Sequence, residues 1–220
     1  MLSNWNFIRG AALAAVLASA SILPAHAAVI LETASFTGND PGDYPVYGDA
    51  TDGRFIGARF SVDQTTDITS VGVGLGRSGY GTLFAAIVAL DPTTGFPAYT
   101  AADLAANALA HTVFAVPSTI ADLSAEISVT LAAGDYGVVF GSGLFGADGV
   151  GPVTSGNANI GHPSLFQFLS VVDSDWISQS ADGIRIVVEG EPAAVPEPMS
   201  LALLGSGLVG LVLTRRRARG

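Results

Sequence analysis

The sequence predicts an all-β body, an antiparallel two-sheet β-sandwich of jelly-roll type, framed by an N-terminal signal peptide and a short C-terminal transmembrane helix. Three observations predict it. Runs rich in Val, Ile, Phe and Thr recur through the middle of the chain, with Gly, Pro, Asp or Asn between most of them. Several of these runs alternate apolar and polar residues with a period of two. About nine such runs, with almost no helical pattern between them, argue against an α/β fold and for paired antiparallel sheets.

Composition narrows the function. The chain has 220 residues, is 49% hydrophobic and only 13% charged, and contains no cysteine. All 9 of its basic residues are arginine. A disulfide framework, a cysteine nucleophile and a Cys-ligated metal are therefore excluded, as are a Schiff-base lysine and a P-loop lysine. The net charge of −10 gives no electrostatic case for nucleic acid. Charge is also segregated. Between 28 and 194 only Arg54, Arg59, Arg77 and Arg185 stand among many acids, whereas Arg9 lies near one end and Arg215, Arg216, Arg217 and Arg219 at the other. Basic tips on an acidic body point to membrane-reading ends on an exported domain.

The N-terminal end carries Arg9, an apolar run over 11–23, a breaking Pro24, and then Ala25-His26-Ala27. The small-x-small pattern at Ala25 and Ala27 places signal cleavage between Ala27 and Ala28. As a helix the run is about 20 Å long, too short for a bilayer core of about 30 Å.

The body, 28–190, reads as strands over 29–36, 54–62, 68–76, 82–90, 112–116, 126–131, 136–141, 165–172 and 184–189. Val71, Val73 and Leu75 share one face of their run, and Ile184, Ile186 and Val188 share one face of theirs with Arg185 outward. The Ala- and Leu-rich stretch 101–110 is the one helical candidate, with Asp103 near its start. Residues 131–140 follow the outline strand, Gly-Asp turn, strand.

The C-terminal end has three zones. A linker over 191–198 is stiffened by Pro192, Pro196 and Pro198. An uncharged apolar segment, 199–214, follows as the transmembrane helix. The tail 215–220, with Arg215, Arg216, Arg217 and Arg219, stays cytoplasmic by the positive-inside rule. A plain anchor that no enzyme processes is the simpler alternative. The ordered set Val195-Pro196-Glu197-Pro198, a Leu/Gly-rich run over 201–213 and Arg215-Arg216-Arg217 resembles the PEP-CTERM sorting signal of Gram-negative bacteria. Met199 departs from that pattern, where Ser or Thr is common, and Ser200 follows it. The resemblance implies that a membrane-embedded exosortase recognises Pro196, Glu197 and Pro198 and cuts near them. It also implies export through the inner membrane, transient anchoring, and a final place at the cell surface or outside the cell. Residues 131–140 are similar to stretches in the sandwich bodies of other such proteins and of carbohydrate-binding modules.

The body offers little chemistry. His111 and His162 are the only histidines after signal removal, and the chain lacks a G-x-S-x-G elbow. G-x-G-x-x-G occurs at Gly74/Gly76/Gly79, Gly141/Gly143/Gly146 and Gly205/Gly207/Gly210 without the strand-to-helix context that a dinucleotide site needs, so turns and close packing are the expected use. Asp40, Asp43, Asp49 and Asp52 crowd one turn-rich segment and are weak candidates for a structural Ca²⁺; a solvated acidic loop is the ordinary reading. Asp173 and Asp175 form a smaller cluster. Tyr44, Tyr47, Tyr80, Tyr99 and Trp176 are candidates for stacking on sugar rings, with core packing the stronger expectation for Trp176. The expectation is a non-enzymatic exported envelope or matrix protein without a cofactor. A carbohydrate-binding module associated with exopolysaccharide is the alternative, and a secreted hydrolase ranks last.

Overall fold

A computed structural model describes residues 27–38, 43–48, 52–169, 173–180 and 182–193. Its strands are β1 (Ala28–Glu32), β2 (Asp43–Val46), β3 (Arg54–Val62), β4 (Thr66–Leu75), β5 (Thr82–Ala89), β6 (Ala110–Ala115), β7 (Ala121–Leu131), β8 (Gly134–Gly141), β9 (Gly151–Thr154), β10 (Leu165–Leu169), β11 (Asp173–Gln179) and β12 (Ile186–Pro192). They form two antiparallel sheets. One has the order β1-β12-β4-β9-β2, with β7 also paired to β4, and the other has the order β11-β10-β3-β8-β5-β6. The β4–β7 ladder is long, running from Thr66 opposite Leu131 to Leu75 opposite Ala121.

Alternation puts Ile68, Val71, Val73, Leu75, Ile186 and Val188 of the first sheet against Ile56, Ala58, Phe60, Leu83, Ala85, Ile87, Val138 and Phe140 of the second. This is the inter-sheet core. The second sheet is covered on its other face as well. There Phe55, Phe84, Ala86, Val88, Val139, Phe166 and Phe168 meet Trp176, Ala101, Leu104 and Ala147. A strand buried on both sides needs no polar alternation, which is why β5 reads Thr-Leu-Phe-Ala-Ala-Ile-Val-Ala. The cover comes from a 3₁₀ turn, Ala101–Asp103, running into the single-turn helix α1, Leu104–Asn107.

Several sequence expectations are corrected. The helix does not extend over 101–110: Leu109 N–H donates to the Ile87 carbonyl at 2.8 Å, and β6 begins at Ala110 on the edge of β5. The strand expected over 29–36 ends at Glu32, leaving Ala34 in a lone bridge to Asn159. The run expected over 126–131 starts at Ala121 instead. The turn inside 131–140 joins no hairpin, since β7 pairs with β4 in one sheet and β8 with β3 and β5 in the other. β12 continues through Pro192 into the segment read as linker, with Pro192 opposite Thr66. Among the described residues no helix is long and apolar enough to cross a membrane; the segments 1–26 and 199–214, read as signal and transmembrane helix, lie outside them.

Candidate functional site

The last strand before the C-terminal segment is β12, an inner strand of the first sheet. β12 lies between β1 and β4 and buries Ile186 and Val188. A register shift between Glu189 and Gly190 is accommodated by glycine: a Cβ at Gly190 would lie 2.5 Å from the Asp67 carbonyl oxygen and 2.8 Å from Ile30 Cδ1. After Pro192, Ala193 N–H donates to the Thr65 carbonyl at 2.9 Å. The sorting-motif residues Pro196, Glu197 and Pro198, the arginines Arg215, Arg216, Arg217 and Arg219, and the signal residue Ala25 lie outside the described residues. Ala27 and Ala28 open the described body, with Ala28 opposite Gly190.

Arg185, just before β12, braces the sheet. Its Nε donates to Asp122 Oδ1 at 2.8 Å, and its Nη1 donates to Glu32 Oε1 at 2.5 Å and to the Ala34 carbonyl at 2.6 Å. The Arg185 side chain is 12% exposed and both carboxylates 33%. These bonds hold the guanidinium further into its charged form, the hydrogen bond to Asp122 foremost and burial opposing it. Alternation showed Arg185 pointing outward but could not show its partners, which lie far off in sequence on β1 and β7.

The candidate catalytic groups do not converge. His162 precedes β10 and His111 sits on β6, so four strand spacings, or about 19 Å, separate the two rows. His111 stacks on Phe145 with ring centroids 4.1 Å apart. His162 lines a polar recess of about 220 Å³ with Asn159, Gln179, Ser180 and Asp182. Among the described residues no group of three or more His, Asp or Glu could hold a metal ion. Of the weak Ca²⁺ candidates, Asp40 and Asp49 lie outside the described residues, Asp43 falls at the start of β2, and Asp52 is exposed. Asp175 accepts from the backbone N–H of Trp176 at 2.8 Å.

Of the glycine motifs, Gly205/Gly207/Gly210 lies outside the described residues, and the other two serve packing and turns. A Cβ at Gly141 would come 2.3 Å from the Phe84 ring and 2.6 Å from Phe55, and Gly143 and Gly146 take positive φ in the following loop.

The aromatic residues are mostly structural. Trp176 is 4% exposed, packs edge-on to Phe166 at 5.5 Å, and donates from Nε1 to the Tyr99 carbonyl at 2.8 Å. Burial pushes the Tyr99 phenol up to about 12, and its hydroxyl donates to the Asn107 carbonyl at 3.1 Å. Tyr44 on β2 donates to Gln167 and accepts from Gln179, with the Arg54 guanidinium carbon 4.8 Å from its ring centroid. Burial raises the Tyr44 phenol, against the opposing pull of Arg54 and Gln179. Tyr80, 62% exposed, keeps an open ring. Sequence reasoning missed a recess of about 310 Å³ between Arg59, Ser61, Leu90, Asp91, Asp135 and Ser164, because its lining comes from separate strands and loops with no local motif.

In comparison with known families, residues 194–217 match the PEP-CTERM protein-sorting motif. The match begins at the residue after Ala193, the last one described. No curated protein matches the chain. The chain thus carries at its C-terminal end the motif by which exosortase substrates are sorted.

Proposed function

We propose that the chain is a non-enzymatic envelope or extracellular-matrix cargo, sorted at its C-terminal end by an exosortase. The observation that carries the reading is the sorting motif at 194–217, which follows β12 by one residue. A signal peptide over 1–27 exports the body, a transmembrane segment over 199–214 holds it, and the arginines from Arg215 remain on the cytoplasmic side. Cleavage near Pro196, Glu197 and Pro198 delivers the body to the surface or the medium. Because β12 ends at Pro192, such a cut leaves every described strand in place. We read the body as a jelly roll. The orders β1-β12-β4-β7 and β3-β8-β5-β6 support this, since they carry two interlocked Greek-key paths, with β2, β9, β10 and β11 as additions.

The cargo reading draws support from the separation of the two histidines and from the lack of a nucleophile elbow. The polysaccharide alternative loses Trp176 to the core and retains Tyr80. The test is the intact mass of the protein from hosts with and without the sorting protease. With the protease, both ends are lost; without it, the arginine-bearing tail is retained. An unchanged C-terminus in both hosts would leave only a plain anchor.

A further inference from the structure

β1 starts at Ala28, β12 ends at Pro192, and the two are antiparallel neighbours with Ala28 opposite Gly190. Both ends of the folded body therefore leave from one pole, about 5 Å apart at that pair. The turn 63–65 lies at the same pole, since Thr66 pairs with both Pro192 and Leu131. So does the turn 132–133, since Gly134 pairs with Val62. Loops 76–81 and 116–120 lie at the far pole, beyond Leu75 and Ala121. The span of β4 sets the two poles about 30 Å apart.

We propose that the pole of Ala28 and Pro192 is the membrane-facing surface of the unprocessed protein, and that the tail alone holds it there. The inference rests on the sorting reading given above. Only residues 194 and 195 separate Ala193 from Pro196, so the motif lies at most about 10 Å from the end of the sheet. While the signal peptide remains attached, residue 27 places a second membrane-bound foot beside the first. Had the ends left opposite poles, one of them would have had to cross the length of the sandwich. The pole itself is built to stand off. Asp63, Asp67, Asp135 and Glu191 lie on or beside it, and the turns 63–65 and 132–133 contain no arginine. Carboxylates gain nothing from an anionic lipid surface, so cutting the tail frees the body.

The absence of native cysteine makes the test clean. Gln64→Cys places one thiol at the near pole and Ser118→Cys one at the far pole, both at exposed positions. Sealed spheroplasts from a host without the sorting protease are treated with a bulky maleimide-polyethylene glycol. Gln64→Cys is expected to label several-fold more slowly than Ser118→Cys, with the difference lost in detergent and in the processed protein. Equal labelling of the membrane-held form overturns the proposal. The contrast is read on uncut protein, so it stands even if a protease-bearing host leaves the tail intact; that result defeats only the sorting reading. Soluble protein of full mass defeats both. Processed protein is also expected to remain in the supernatant with phosphatidylglycerol vesicles, and its sedimentation with them overturns release.

Discussion

The guanidinium of Arg185 reaches Asp122 at 2.8 Å and thereby ties the start of β12 to β7 across the intervening β4. The same side chain reaches Glu32 on β1, so one residue links four neighbouring strands of the first sheet. A single planar fork serves both carboxylates, a geometry that lysine cannot reproduce.

Arg185→Leu leaves both acids unpaired on a partly shielded face and is expected to lower stability by about 1–3 kcal/mol. Arg185→Lys recovers only part of this. Urea midpoints of the processed protein and the two variants check it, and full recovery by lysine would show that charge without the fork suffices.

Trp176 is the only tryptophan outside residues 1–27, which makes its fluorescence in a chain starting at Ala28 a direct probe. The emission is expected to be blue-shifted and insensitive to added oligosaccharides. Trp176→Ala is expected to cost about 3–5 kcal/mol, the usual price of emptying an aromatic core site. A sugar-dependent emission change would place the ring in a binding surface after all.

Tyr99 gives the alkaline limb of stability. Its phenol is pushed up to about 12 by burial, so the fold holds the neutral form while the unfolded chain ionises near the ordinary value of about 10. The contribution is whole below pH 10 and is lost as pH rises through about 12. Tyr99→Phe is expected to flatten stability against pH in this window, and denaturation curves at stepped alkaline pH measure it.

Gly141 faces rings on two sides. Gly141→Ala is expected to destabilise by about 1–3 kcal/mol through overpacking. Gly146→Ala meets no atom within 4 Å but must hold a φ of +85°, so its smaller cost comes from the backbone alone. Thermal midpoints of the two variants separate the mechanisms.

The tail and the last strand are separable in stability. A chain ending at 193 is expected to unfold cooperatively at the midpoint of the unprocessed protein. A chain ending at 185 lacks β12, leaves β1 without its partner, and is expected to show no cooperative transition. Circular dichroism during urea titration distinguishes them.

The sequence made some of this legible and hid the rest for physical reasons. β3, β4, β5 and β8 are long Val-, Ile- and Phe-bearing runs, and their burial follows directly from residue type and alternation. β2, Asp-Tyr-Pro-Val, and β9, Gly-Pro-Val-Thr, contain turn-forming residues and are strands because of their partners, β2 through β9 and β9 also through β4. β11 has Asp and Ser at its start and takes its place from β10. At 101–110 the helical preference holds through Asn107, and the end of the stretch yields to an edge position beside β5. The C-terminal motif needed no fold at all, because ordered short-range chemistry identifies it. The recess at Arg59 and the Arg185 brace exist only after distant strands meet.

The position of β12 between β1 and β4 has a further consequence for assembly. Ala28 and its partner Gly190 are about 160 residues apart, and β4 likewise lacks that neighbour until the end of the chain is available. Closure of the first sheet therefore requires the whole body, from its first strand to its last.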